Sequence, residues 1–463
     1  MHLSIEGRSM SIPPIRILLA EYVPSLNKGE LAILNGVLQT FSMLDKVEVT
    51  VFSLNPEIDR TLYPSSVKAI DLGRNLHLRS PLYGQSEIYL WWASFFAAVQ
   101  HLMFICLYQL LGRRALGIMG EPLWKTYYDY DVFIVCHDEV DCVNGAFLKF
   151  SPIYISVLAR VLGKPVVFYA NGTTDFTNEV WIWRLRTRRL WRLLARYVST
   201  FVTLITVRDE DTFYYLKNLS HNRVPIYYTA DPAFLLSSAG EEKTKQIMMR
   251  EKIERNGRLL IGVAMTYEVL SEAFNDKSGA ISKYKRAVKE IASFLDRLTE
   301  EANSLVVFIP HSVELGSRDD RVVARDICRV MTNKKPVRAI TNDYTPEELK
   351  ALIGQLDVLV TCRIHAAISA LSMGVPSFVI TRSWDKRAEN IIGKMARQER
   401  WIYDVRNLDS DDLFCFVSQL LDVSSKIRED LPPIIGRIRE RALLNGVLLR
   451  SMLNSRKTTH SHY

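Results

Sequence analysis

Residues Asp357–Ile380 read DVLVTCRIHAAISALSMGVPSFVI and decide the fold. Asp357–Cys362 is a short β-branched run, the pattern of a buried strand. Ala366–Met373 is built of helix formers and closes at Gly374, a residue suited to a helix C-terminus. Val375-Pro376 opens a second apolar run, Ser377–Thr381. Strand, turn, helix and strand in that order make the repeat of a parallel α/β sheet. Arg363 and His365 fall between the first strand and the helix. A helix start presents unpaired N–H groups and partial positive charge, so it attracts anions. An Arg adds a planar fork that matches a carboxylate or phosphate, and a His two residues on can donate to the same anion or move a proton. The alternative is that both side chains only cap the helix and pair with local acids. Open α/β sheets bind ligands at the carboxyl ends of their strands, which favours the ligand reading.

The same alternation runs through both halves of the chain. Ile15–Ala20, a polar loop Glu21–Gly29, a helical stretch to about Leu44 and the strand Val47–Ser53 open the first half. Asp131–Cys136, Val166–Ala170, Leu204–Val207 and Ile226–Thr229 continue it as strands. Ser237–Arg258 is charged and polar and carries no strand signal, so the domain boundary lies there. Leu259–Ala264 and Leu305–Pro310 restart the pattern. The expected architecture is α/β: two Rossmann-like domains with parallel sheets and a cleft between them. The first covers 12–236, with an apolar insertion near 88–118. The second covers 257–430, and 431–463 forms a C-terminal helix with a polar, mobile tail after Ser455.

Composition bounds the function. At 463 residues, two domains are the natural division. Lys and Arg number 59 against 51 Asp and Glu, a formal +8. That excess suits acidic substrates or a membrane surface and does not by itself argue for nucleic acid. Six Cys show no CxxC spacing, which implies reduced thiols and a cytoplasmic protein. The N-terminus lacks the pattern of a signal peptide.

Two segments speak of membranes. Ile88–Leu111 has no charged residue, has Trp91 and Trp92 near one end, and is followed by Arg113 and Arg114. Its length would span a bilayer, but Gln100, His101 and Gln109 weaken that reading. A helix within the domain, buried or touching a membrane, and a helix lying in the membrane interface are the other readings. Trp181–Val198 carries six Arg and three Trp without an acid. It reads equally as a lipid-surface helix or as a solvated face packing its apolar side inward.

Candidate site residues gather at strand ends: Asn171, Arg208, His311, Arg363, His365 and Lys386, with Asn27 at a helix start. The set is cationic or neutral. There is no nucleophile triad signature, metal-ligand spacing, Walker loop or GxGxxG. No metal or resident cofactor is expected. What remains is a cleft for a small, highly charged anion, with His available for proton transfer.

The fragments NKGELAILNG (27–36), TVRDEDT (206–212) with DPAF (231–234), IPH (309–311) and TCRIHAAISALSMGVPSFVI (361–380) occur in that order. Together they resemble the polysaccharide pyruvyl transferase family. The resemblance implies a GT-B-like fold and transfer of a pyruvyl group from phosphoenolpyruvate to a sugar, forming a ketal. It places Arg208, Arg363 and His365, with the backbone at Ile364, against the donor. The acceptor would be a glycan or a lipid-linked sugar. Two departures stand out: Cys136-His137-Asp138-Glu139 replaces a Gly-rich turn common in the family. Asn171-Gly172-Thr173-Thr174 lacks a His that some members carry there. A GT-B glycosyltransferase using a nucleotide sugar, with Glu347 or Glu348 near the ribose, is one rival reading. A non-catalytic membrane-surface protein on the same fold is another.

Overall fold

A computed structural model describes residues 13–53, 55–77, 87–120, 122–136, 151–172, 200–314 and 316–460. The polar loop at 137–150, Thr173, Thr174 and the Arg/Trp segment 181–198 fall outside the described residues.

Two parallel sheets make the frame. The first has strands β1 (Ile15–Tyr22), β2 (Val47–Ser53), β3 (Val67–Asp71), β4 (Val132–Cys136), β5 (Val166–Asn171), β6 (Leu204–Val207) and β7 (Ile226–Tyr228). They lie in the order β3-β2-β1-β4-β5-β6-β7. The second has β8 (Leu259–Ala264), β9 (Ser304–Phe308), β10 (Val337–Ala339), β11 (Val358–Thr361), β12 (Ser377–Thr381) and β13 (Ile402–Asp404). Their order is β10-β9-β8-β11-β12-β13. Each sheet reverses its winding once, between β1 and β4 and between β8 and β11. Such reversal points open a crevice at the carboxyl ends of the strands.

The strands are apolar runs because both faces of each sheet are covered. In β1, Ile17 and Leu19 enter one core while Leu18 and Ala20 enter the core on the opposite face. The first of these cores runs on through Val263, Phe308 and Ile368 of the second half, so the domains share packed apolar surface at their seam. The seam is built from helix α1 (Lys28–Phe41), the 3₁₀ turn Pro232–Leu235, helix α8 (Ile364–Ser372) and helix α9 (Ser424–His460). Between α1 and α8 in chain order come α2 (Glu87–Leu111), α3 (Ser151–Val161), α4 (Glu210–Ser220), α5 (Ala280–Glu301), α6 (Asp320–Val330) and α7 (Pro346–Ile353).

Two glycines allow the seam to close. A methyl built on Gly36 of α1 would lie 2.0 Å from the Pro232 carbonyl oxygen, and one on Gly446 of α9 would lie 2.5 Å from the Thr40 carbonyl oxygen. Asn445 of α9 donates to the Ala230 carbonyl at 3.1 Å and accepts from Thr229 Oγ1 at 2.9 Å. The C-terminal helix therefore crosses back and fastens onto the first half. It continues to His460, past the point where a mobile tail was expected. Beyond Leu453 no Gly or Pro interrupts it. Among the described residues, no helix is long and apolar enough to cross a membrane. Helix α2 instead lays one face, including Ala93, Ala97 and Phe104, into the core beneath the first sheet.

Candidate active site

The loop after β1 and the loop after β9 meet edge to edge. The Lys28 N–H donates to the His311 carbonyl at 2.8 Å, and Val313 N–H donates to the Leu26 carbonyl at 3.0 Å. Asn27 lies opposite Ser312 in this bridge. Its side chain is occupied locally: Oδ1 accepts from the Gly29 and Glu30 amides at 3.1 and 3.4 Å and caps α1. Next to it, Lys28 is buried and its ammonium lies 2.7 Å from Asp343 Oδ1 across the seam.

Helix α8 begins at this bridge. Arg363 occupies its N-cap position, and its own side chain makes no cap hydrogen bond to the first turn. Among the described residues, the amides at Ile364, His365 and Ala366 have no side-chain acceptor, as an anion site requires. The Arg363 guanidinium is held side-on by Asp320, Nη2 to Oδ1 at 2.6 Å and Nε to Oδ2 at 3.2 Å. Asp320 also accepts from the backbone amides of His311 at 2.9 Å and Ser312 at 3.0 Å. One carboxylate thus fixes the arginine and the loop after β9 together. Burial alone would lower the Arg363 pKa, but Asp320, with Glu268 and Glu314 nearby, raises it, so the side chain stays cationic. One-fifth of it reaches solvent.

His365 lies one turn-step further on. A methyl on Gly29 would fall 2.5 Å from its Nδ1, so glycine at this position lets His365 pack against the start of α1. Its Nε2 stands 3.7 Å from Asp231 Oδ2. Asp231 follows β7 and has no solvent exposure. Arg208, at the end of β6, donates from Nη1 to the same Oδ2 at 3.0 Å, and the Ala233 amide donates to Oδ1 at 2.9 Å. Burial pushes the Asp231 carboxyl up, but Arg208 and His365 outweigh it and hold it down at about 2. Arg208 is itself buried at 3% exposure, over Gly172, and its Nε has no hydrogen-bond partner among the described residues. The guanidinium therefore braces Asp231.

The remaining candidates divide. His311 lies in the cluster but is 4% exposed. Burial, with Arg363, His365 and Lys28 alongside, lowers its pKa to about 3, so the ring is neutral at physiological pH. Its Nδ1 faces the Ile309 carbonyl at 3.3 Å. Ile364 is buried in the first turn of α8. Asn171 is buried at the end of β5, and its carbonyl accepts from the Arg208 amide at 3.0 Å. Lys386 is paired with Glu389 at 2.7 Å on the helical turn that follows β12. From that turn it is Asn390 that reaches across, to Asp209 Oδ1 at 3.4 Å, with Lys394 3.2 Å from Asp211 Oδ2. Asp209 in turn caps α4 through Thr212.

Reading from sequence missed Asp231, Asp320 and Gly29. Both acids carried a signal, each standing just after a strand or before a helix near a chosen cation. Their pairing across chain-distant elements had none. Glu348 closes a capping box with Thr345 at the start of α7, and Glu347 accepts from Asn35 at 2.5 Å. The two acids considered for a ribose are thus engaged in holding α7 and α1.

A family model described as polysaccharide pyruvyl transferase matches residues 27–383. The chain belongs to this family. The matched region begins at the Asn27 cap, contains every residue of the Arg208–Asp231–His365 and Arg363–Asp320 groups, and stops just before Lys386. It is accordingly an enzyme of the pyruvyl transferase kind. The amylovoran biosynthesis protein AmsJ of Erwinia amylovora is 20% identical over 318 residues, covering 67% of this chain and 71% of AmsJ. Among solved structures, the UDP-GlcNAc 2-epimerase of Neisseria meningitidis matches with a TM-score of 0.56 at 12% identity. That match covers 95% of this chain and 100% of the epimerase. The glycosyltransferase UGT73P12 of Glycyrrhiza uralensis matches with a TM-score of 0.52 at 10% identity, covering 97% of this chain and 100% of that one. At such identities these two show the shared two-domain fold alone.

Proposed function

We propose that this family member transfers the pyruvyl group of phosphoenolpyruvate to two hydroxyls of a sugar, releasing phosphate and leaving a pyruvate ketal. The observation that carries the reading is the uncapped start of α8, with Arg363 and His365 flanking its amides at the interdomain seam. Phosphoenolpyruvate offers a carboxylate and a phosphate, and this site offers a helix N-terminus, a guanidinium edge and an imidazole. The amides at Ile364 and His365 and the outer edge of Arg363 bind the anion. Asp320 keeps that edge aimed by holding Nε and Nη2 from the other side. Arg208 acts at one remove, by fixing Asp231 against His365.

The proton balance is simple. The donor's methylene carbon gains one proton and becomes a methyl group. The first sugar hydroxyl adds to the neighbouring carbon, phosphate departs with the bonding electron pair, and the second hydroxyl closes the ketal. Two hydroxyl protons are released in all: one balances the proton delivered to carbon, and the other leaves with phosphate. His365 supplies and recovers the proton, since it faces the seam and His311 is buried and neutral. The acceptor is a glycan, as part of a polysaccharide or a lipid-linked precursor. The enzyme works at the cytoplasmic face of a membrane and needs no metal or resident cofactor.

Thermal shift distinguishes this reading from use of a nucleotide sugar. Millimolar phosphoenolpyruvate raises the melting temperature and UDP-sugars do not. A shift with UDP-sugars alone overturns the reading.

A further inference from the structure

We infer that helix α2 is a membrane-docking element that lies flat in the interface of an anionic bilayer. The helix is apolar on two opposite faces. One face, at Ala93, Ala97, His101 and Phe104, is buried in the first domain. The other leaves Trp92 50%, Phe95 49%, Phe96 50%, Leu102 55%, Met103 49% and Leu110 81% exposed. At 3.6 residues per turn these six fall in one stripe opposite the buried face, and from Trp92 to Leu110 it runs about 27 Å. A solvent-facing helix surface is ordinarily polar, and a continuous exposed apolar stripe marks a contact.

Three observations select a bilayer as the occupant. First, charge: residues 88–120 contain no Asp, Glu or Lys, and the only charged residues are Arg113 and Arg114, both exposed at the end of the stripe. A cationic end and an acid-free apolar face complement anionic lipid. Second, composition: Trp92, Phe95 and Phe96 cluster with ring centroids 6.0–6.3 Å apart at the other end. Trp settles at the level of lipid headgroups, and Phe belongs to the apolar face of an interfacial helix. Third, geometry: the inner face is fixed in the domain core, so the helix is held to the surface and cannot insert across the bilayer. Ile118, on the short helix Arg114–Met119 that follows, is also exposed, at 60%.

The inference stands independently of the donor's identity. The test is flotation of the full-length protein with vesicles of phosphatidylcholine alone and of phosphatidylcholine with phosphatidylglycerol. The expected result is binding to the anionic vesicles, reduced more than ten-fold by the combined change Phe95→Ser, Phe96→Ser and Leu102→Ser and reduced several-fold by Arg113→Ala with Arg114→Ala. Because the five positions are exposed, an unchanged circular dichroism melt is expected and verifies that the variants fold. Brominated lipid quenches tryptophan emission in the wild type, and Trp92→Phe removes part of that quenching. The inference is overturned if the wild type stays with the soluble fraction, or if the serine variant floats as well as the wild type. It is equally overturned if the serine substitutions instead abolish a dimer seen by sedimentation, which would make a second copy the occupant.

Discussion

Asp231 of the first half and His365 of the second stand 3.7 Å apart across the domain seam, and Arg208 holds the same Asp231 oxygen at 3.0 Å from behind. The line Arg208–Asp231–His365 joins the end of β6 to the start of α8. It makes the orientation of the one solvent-reaching imidazole in the cluster depend on both domains. The charge of this fully buried carboxylate is maintained by the Arg208 guanidinium and the His365 imidazole beside it.

Breaking that line from behind is costly. Arg208→Met leaves Asp231 buried with its strongest partner gone, and a broken buried pair costs about 3–5 kcal/mol. Urea denaturation should show a loss of that order. The double variant Arg208→Met with Asp231→Asn removes both charges and should recover part of it. Additive losses in the two single variants and the double variant would show that the pair is not coupled.

Gly29 separates function from stability. Gly29→Ala favours helix α1 by up to about 1 kcal/mol on propensity alone. Yet the new methyl must push the His365 ring from its place, since it would lie 2.5 Å from Nδ1. Turnover should fall roughly ten- to a hundred-fold, the penalty of a misplaced catalytic group, with a melting temperature unchanged or higher. Full activity in a well-folded Gly29→Ala enzyme would remove His365 from the chemistry.

Arg363→Lys tests the anion site. Lysine keeps the charge but has no fork with which to hold Asp320 on one side and the donor on the other. The Michaelis constant for phosphoenolpyruvate should rise roughly a hundred-fold, about 3 kcal/mol of a charge-assisted contact, while the acceptor's changes little.

Acid stability reports on His311. Burial holds its pKa at about 3, against 6.5 for the unperturbed side chain. Between those values the unfolded chain takes up a proton that the folded chain refuses. Stability should therefore decline as pH falls from about 6.5 towards 3, by an amount on the order of several kcal/mol. His311→Asn, whose amide can still meet the Ile309 carbonyl, should flatten that limb of the curve. The Asp231 contribution, present above about pH 3.8 and lost towards 2, lies further down and should survive in the variant.

The two sheets were legible because strands buried on both faces read as short runs rich in apolar and β-branched residues, as Val132–Cys136 and Val358–Thr361 do. Arg363 and His365 were legible because a strand end and a helix start lie only two residues apart there. Two things were hidden. The accessible face of a cation is decided by which acid it meets: Asp231 takes Arg208 into the interior, and Asp320 leaves Arg363 at the rim. Neither pairing is local in the chain. The fate of an apolar helix was hidden for a similar reason. Nothing in Ile88–Leu111 distinguishes Ala97, which is buried, from Phe96, half exposed beside it, until the first sheet supplies a surface to cover one of them.

The most direct measurement of the central claim is product analysis. Purified enzyme is incubated with phosphoenolpyruvate and a panel of glycans and lipid-linked sugars, and phosphate release and the glycan's mass are followed together. The account predicts phosphate and a pyruvate-ketal glycan in equal amounts, both abolished by His365→Ala. Glycan extended only when a nucleotide sugar is supplied, with phosphoenolpyruvate untouched across the panel, would contradict it.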